Sequence, residues 1–125
     1  MTIFALGDMI KHPERRAPTT TNLIYRLLFI LSPAMKTSYI FLAPGFEETE
    51  ALTVVDILRR AGMEVVTVAV NDDVKVEGAH GVPVVADVLF SDVNISDPEW
   101  LICPGGMPGA TNLADNSDLG TLLTD

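Results

Sequence analysis

Little in this chain can crosslink, and little in it can grip a polyanion. There is one cysteine, Cys103. A single thiol excludes an internal disulfide framework and favours a reducing compartment. Lysine and arginine number 8 against 17 aspartates and glutamates, a net charge of −9. Phosphate binding needs clustered basic residues, so nucleic acid is not an expected partner. No long hydrophobic run is present either. The apolar stretch Leu23–Leu31 is broken by Arg26, and a transmembrane helix needs about 20 residues. No repeat or low-complexity stretch appears. What remains is 48% hydrophobic and 20% charged, the composition of one modest globular domain.

The acidity is uneven. Residues 1–35 carry Lys11, Arg15, Arg16 and Arg26 against Asp8 and Glu14, a net of +2, which leaves −11 for residues 36–125. Pro13, Pro18, Pro33 and the Thr19–Thr21 run oppose packing in the first segment. We read residues 1–35 as a non-native or disordered extension, with Met35 as the natural start of the domain at 36–125. A signal peptide is the other reading, because basic residues precede the apolar run. Arg26 inside that run counts against it.

From Lys36 the pattern is α/β. Ser38 to Ala43 is a continuous apolar run of strand formers, as in a parallel strand covered on both faces. Pro44-Gly45 stops it. Phe46 to Ala61 reads as a helix, acidic at its start and with Arg59-Arg60 in its last turn, both favourable to the macrodipole. Gly62 suits the C′ position. Glu64 to Val70 is a second strand, which completes a right-handed βαβ unit. Val74–Val76 and Val82–Ala86 form a hairpin or edge excursion, and Pro83 keeps it off a central position. Asp87–Val93 reads as a turn of helix and Trp100–Cys103 as a further core strand. Ser117 is placed to cap a helix through Leu119, Leu122 and Leu123.

Two places carry possible chemistry. The first is Cys103-Pro104-Gly105-Gly106-Met107-Pro108-Gly109. Adjacent glycines bare the backbone N–H groups beyond a strand end, where parallel sheets bind ligands. The loop lacks the Gly-Lys-Ser/Thr ending of a phosphate loop, and Pro104 and Pro108 spoil a dinucleotide fingerprint. The better use of such N–H groups is an oxyanion hole; the plain alternative is a tight strand-to-helix turn. The second place is Glu50. At 100° per residue it falls on one stripe with Val54, Ile57 and Ala61. A carboxyl held there is a candidate acid or base, or a hydrogen-bond donor to a thiolate. Otherwise it is a first-turn glutamate that meets helix N–H groups or solvent. Glu47 and Glu48 read as dipole partners, Cys103 as a small buried hydrophobe, and His80 as structural or solvated. His12 falls in the extension.

Three motifs, Pro44–Glu50, Asp56–Gly62 and Cys103–Ala110, together resemble the ThiJ/PfpI family, in the branch of the Parkinsonism-associated deglycase and the class I glutamine-amidotransferase-like superfamily. The resemblance runs from Lys36 to Asp125. It implies a flavodoxin-like three-layer sandwich with a mainly parallel sheet, here incomplete at its C-terminal side. It implies that Glu50 is the partner of a reactive cysteine and that Gly105 and Gly106 line the oxyanion site. It further implies glyoxalase- or deglycase-like action on reactive carbonyls in a cytoplasmic stress response, a homodimer when full length, and no metal or cofactor. The family's cysteine elbow follows the double glycine at a distance and is absent from this chain. Two functions therefore stand: the N-terminal portion of a cysteine-dependent enzyme, or a non-catalytic, chaperone-like binding module or inactive product. An exposed sheet edge at Trp100–Cys103 further predicts that the isolated chain aggregates or needs a partner.

Overall fold

The computed structural model describes residues 35–125, together with Leu23 and Leu27. The expected extension at 1–35 otherwise lies outside the described residues. The chain divides into two units, Met1–Ala34 and Met35–Asp125, and every strand described lies in the second.

Four short strands form one parallel sheet. They are β1 (Ser38–Leu42), β2 (Val65–Ala69), β5 (Val88–Leu89) and β6 (Leu101–Ile102), in the order β5-β2-β1-β6. β1 sits centrally and pairs with β2 from Ser38↔Val65 to Leu42↔Ala69, and with β6 at Tyr39↔Leu101 and Ile40↔Ile102. β3 (Lys75–Glu77) and β4 (Pro83–Val85) make a separate antiparallel hairpin. Pro83 therefore lies outside the main sheet, as a residue without an N–H requires.

Apolar residues occupy both faces of β1 and β2, so both faces gain a cover. Ile40, Leu42, Val65 and Ala69 point to one side, where Ala51 and Val55 of α1 (Glu48–Arg60) pack. Val76 of β3 and Ala86, just after β4, join them. Phe41, Ala43 and Val68 point to the other side, against Leu113 of α2 (Gly109–Ala114) and Leu119 of α3 (Ser117–Thr124). The result is three layers, helix on sheet on helix, as anticipated. Phe41 and Phe46 are fully buried, each worth about 1.5–3 kcal/mol relative to exposure.

α1 has well-defined ends. Glu47 is its N-cap and accepts the Glu50 N–H at 2.6 Å. Gly62 closes it at φ +81°, with Gly62 N–H donating to Arg59 O and Met63 N–H to Leu58 O. These are the two bonds of a Schellman motif, which needs the left-handed glycine. Asn116, rather than Ser117, caps α3 by accepting the Leu119 N–H. The helical turn expected at Asp87–Val93 is shorter, a 3-10 turn at Phe90–Asp92 preceded by β5. α2 was not anticipated from the sequence.

Two expectations are corrected. α1 buries Glu48, Ala51 and Val55, not the stripe of Glu50, Val54 and Ile57; Glu50 is exposed and Ile57 is 57% exposed. Cys103 is exposed rather than buried, because β6 is an edge strand among the described residues.

Candidate functional site

The loops after β1 and β6 leave neighbouring strand ends and fold against each other. Four hydrogen bonds join the β6 loop and the following α2 to the β1 loop and the first turn of α1. Glu47 N–H donates to Gly105 O at 2.8 Å, and Gly105 N–H donates to Glu50 Oε2 at 2.6 Å. Gly109 N–H donates to Gly45 O at 3.1 Å, and Asn112 Nδ2 donates to Pro44 O at 2.8 Å.

The close approach requires glycine. Gly45 and Gly106 have φ of +85° and +97°, where other residues are strained. A Cβ on Gly45 would run into Pro108, and one on Gly105 would sit 2.7 Å from Glu50 Oε2. The Gly-Gly pair thus brings bare backbone onto a carboxylate at the C-terminal end of a parallel sheet.

The structure therefore brings together Glu50, Gly105 and Gly106, all three singled out in the sequence. It also divides their work. The Gly105 N–H is already committed to Glu50, whereas the Gly106 N–H meets no acceptor among the described residues. Glu50 uses Oε2 on Gly105 and leaves Oε1 without a partner among the described residues. Among the described residues, one carboxylate oxygen and one backbone N–H at the loop thus remain without a partner.

Beside them opens a cavity of about 400 Å³ lined by Cys103, Gly105, Leu113, Leu119 and Leu123 among others. Desolvation in this apolar setting pushes the Cys103 thiol above its ordinary value. A protonated thiol is a poor nucleophile, so Cys103 lacks the character of an attacking group.

A second constellation lies at the same helix start. Glu48 Oε1 accepts His80 N–H at 2.6 Å, and its Oε2 meets His80 Nδ1 at 2.7 Å. Desolvation raises the Glu48 carboxyl, but the His80 side chain and backbone N–H outweigh it and hold it down to about 2. The same bond raises the His80 imidazole. Gly78 allows the contact, since a Cβ there would collide with the Glu48 side chain. Donor atoms of Glu47, Glu48 and His80 lie within 4.8 Å of one another. Together they form a group of donor atoms that could hold a cation. No local signal reveals this pair, because its members are 32 residues apart. Glu48 is a buried ion-pair partner rather than a mere dipole partner.

A third network fixes the sheet beneath. Asp87 Oδ2 accepts Thr67 N–H and Thr67 Oγ1–H, each at 2.8 Å, and Arg59 Nη2 at 2.6 Å. It ties β2, the start of β5 and the end of α1 together.

Comparison with known proteins points the same way. The sequence pattern of the DJ-1/PfpI family matches residues 36–125. Protein DJ-1 homolog B of Arabidopsis thaliana is 34% identical over 111 residues, which cover 89% of this chain and 25% of that protein. Protein dj-1beta of Drosophila melanogaster is 32% identical over 88 residues, 70% of this chain and 47% of that one. Among solved structures, a variant of a DJ-1 superfamily protein from Salmonella typhimurium superposes with a TM-score of 0.69 at 38% identity. It covers 72% of this chain and 49% of its own. Oxidized Toxoplasma gondii DJ-1 gives 0.68 at 39% identity, with 71% and 48% covered. The chain thus spans at most about half the length of these relatives.

Proposed function

Since the chain belongs to the DJ-1/PfpI family, we propose that it carries the carboxylate and oxyanion-binding half of a cysteine-dependent site for small reactive carbonyls. The observation that carries this reading is the clamp at Glu50 and Gly105, 2.6 Å long, beside the Gly106 N–H, which has no acceptor among the described residues. Its placement at the carboxyl ends of parallel strands supports it.

In the complete protein a thiol from the other half would approach Glu50 Oε1. Glu50 takes the thiol proton, and the sulfur attacks the carbonyl carbon. A carbon–sulfur bond forms while the carbonyl π pair moves onto oxygen. The Gly106 N–H faces that developing charge, and Glu50 returns the proton to it. Gly105 contributes by position: its N–H holds Glu50 Oε2 and so aims Oε1. No metal or cofactor enters this step. We place the complete protein in the cytoplasm as a homodimer with a role in stress response; no described helix is long and apolar enough to cross a membrane. The raised pKa of Cys103 and the open apolar cavity favour the second reading for the chain alone, a non-catalytic binding module.

The test is a chimera in which residues 36–125 replace the matching half of the Drosophila relative. It is expected to consume methylglyoxal, and Glu50→Gln should lower the rate by about 10²-fold or more. The 125-residue chain alone should show no turnover. A Glu50→Gln chimera as fast as its parent would remove the proposed role.

A further inference from the structure

The Glu47, Glu48 and His80 group lies apart from the Glu50 clamp and takes no part in the proposed reaction. Two of its members stand at the start of α1, and the third is in the turn between β3 and β4. Backbone bonds fix that turn against the loop after β1. Gly45 N–H donates to Glu77 O at 2.8 Å, and Ala79 N–H donates to Phe46 O at 2.7 Å. Within the turn, Gly78 N–H donates to Val82 O at 3.0 Å, and Gly81 N–H donates to Gly78 O at 3.1 Å. The imidazole is thus carried to the carboxylates by backbone that is tied down on both sides of it.

The group is short of positive charge. Among the described residues neither glutamate pairs with a lysine or arginine, and His80 is the one basic neighbour. Even an imidazolium would leave one net negative charge. Glu48 is 8% exposed, and a buried charge without full compensation is costly. Glu47 uses Oε2 on the Glu50 N–H. Its Oε1 has no hydrogen-bond donor among the described residues and lies 4.0 Å from His80 Nδ1. The helix start opposes a cation with roughly half a positive charge, and two carboxylates outweigh it.

The geometry suits a small metal ion. Zinc holds imidazole nitrogen and carboxylate oxygen at about 2.0–2.2 Å, so tetrahedral ligand atoms stand about 3.3–3.6 Å apart. The separations from Nδ1 bracket that value, at 2.7 Å to Glu48 Oε2 and 4.0 Å to Glu47 Oε1. The His80 side chain is 72% exposed, so its ring can turn to even them out and water can take a fourth position. An imidazole among carboxylates suits zinc and its neighbours, whereas magnesium and calcium favour oxygen alone.

We propose that Glu47, Glu48 and His80 bind a divalent transition metal of the zinc class, which pins the β3–β4 turn to the start of α1. His80 Nδ1 releases its proton to solvent and gives its lone pair to the metal. Glu48 Oε2 and Glu47 Oε1 are the other two protein ligands, while Glu48 Oε1 keeps the His80 N–H. The site is independent of the carbonyl chemistry, and neither stands or falls with the other.

The experiment titrates zinc chloride into the full 125-residue chain, first stripped with chelator, and follows it by calorimetry. One zinc per chain is expected, with a rise in melting temperature. His80→Asn and Glu48→Gln, checked for a parental far-UV spectrum, should each weaken binding by at least about tenfold. Cys103→Ser and His12→Ala remove the other thiol and imidazole donors and should leave the affinity unchanged. Nitrogen NMR of the histidine-labelled parent should show zinc on His80 Nδ1 with the proton kept at Nε2, a readout that needs no variant to fold. Magnesium chloride should bind at least about tenfold more weakly than zinc. The proposal is overturned if the parent binds no zinc, if His80→Asn binds it as tightly, or if Nδ1 stays protonated at saturating zinc. It is equally overturned if Cys103→Ser or His12→Ala abolishes binding, or if magnesium binds as well as zinc, the mark of a loose acidic surface.

Discussion

Replacing Gly106 by alanine should separate the two loops that build the site. Its φ of +97° is a backbone region that alanine occupies at a cost of about 1–2 kcal/mol. The new Cβ would meet Glu47 N, with Gly45 O and Phe46 C each at 2.8 Å. All three are backbone atoms and cannot rotate aside. Forcing them apart adds about 1–3 kcal/mol, as overpacking does elsewhere. The expected loss is therefore about 2–5 kcal/mol, a large part of the roughly 5–15 kcal/mol that holds a typical domain. Urea unfolding followed by circular dichroism reads it: with a slope near 2 kcal/mol per molar, the midpoint falls by roughly 1–2.5 M. Gly120→Ala is the control. It lies in α3 with no atom within 4 Å of the added Cβ, and should gain about 0.4–1 kcal/mol. A Gly106→Ala chain within about 0.5 kcal/mol of its parent, inside the range of neutral surface changes, would refute the close-approach argument.

The polar networks give two further outcomes. Glu48 is lowered from 4.5 to about 2, so its contribution is full above pH 4.5 and is lost as pH falls towards 2. His80 is raised from 6.5, so its contribution is full below pH 6.5 and fades as pH rises through the raised value. The stability difference between parent and His80→Ala should therefore plateau between pH 4.5 and 6.5 and shrink on both sides; a flat difference from pH 3 to 9 would contradict the pairing. Asp87→Ala should cost about 1–3 kcal/mol by stranding the buried Thr67 N–H. The value lies towards the low end because the Asp87 side chain is 44% exposed. Asp87→Asn, which keeps an acceptor, should lose less in the same unfolding assay.

The framework was legible because its signals are local. The continuous apolar runs of β1 and β2 mark strands covered on both faces, and the acidic start, basic end and Gly62 of α1 mark its limits. The glycine motifs pointed to the loops that meet, and Glu50 was singled out as a candidate acid or base. The buried face of α1 was not legible. Ala51, Val55 and Leu58 form one apolar row, and Val54, Ile57 and Ala61 form another of equal standing. Only the position of the sheet selects between them, so Glu48 turns inward and Glu50 outward. Glu50 nevertheless reaches Gly105 because the helix start is close to the β6 loop. The Glu48–His80 and Thr67–Asp87 pairs depend on contacts 32 and 20 residues apart, which no periodicity reports. Cys103 was expected inside because its neighbours are strand formers, yet its exposure depends on what lies beyond β6.

The first turn of α1 holds a single residue of the opposite loop from both sides. Glu47 gives its N–H to the Gly105 carbonyl, and Glu50 takes the Gly105 N–H on its carboxylate. Unwinding that turn and releasing the loop are thus one event. The amide proton of Gly105 should exchange with solvent in step with the opening of the helix start, although the two segments are 55 residues apart. For anyone recombining this domain with its relatives, the natural cut sites fall outside the pair. A junction between α1 and the double glycine keeps each sequence intact and still mismatches the two halves of one latch.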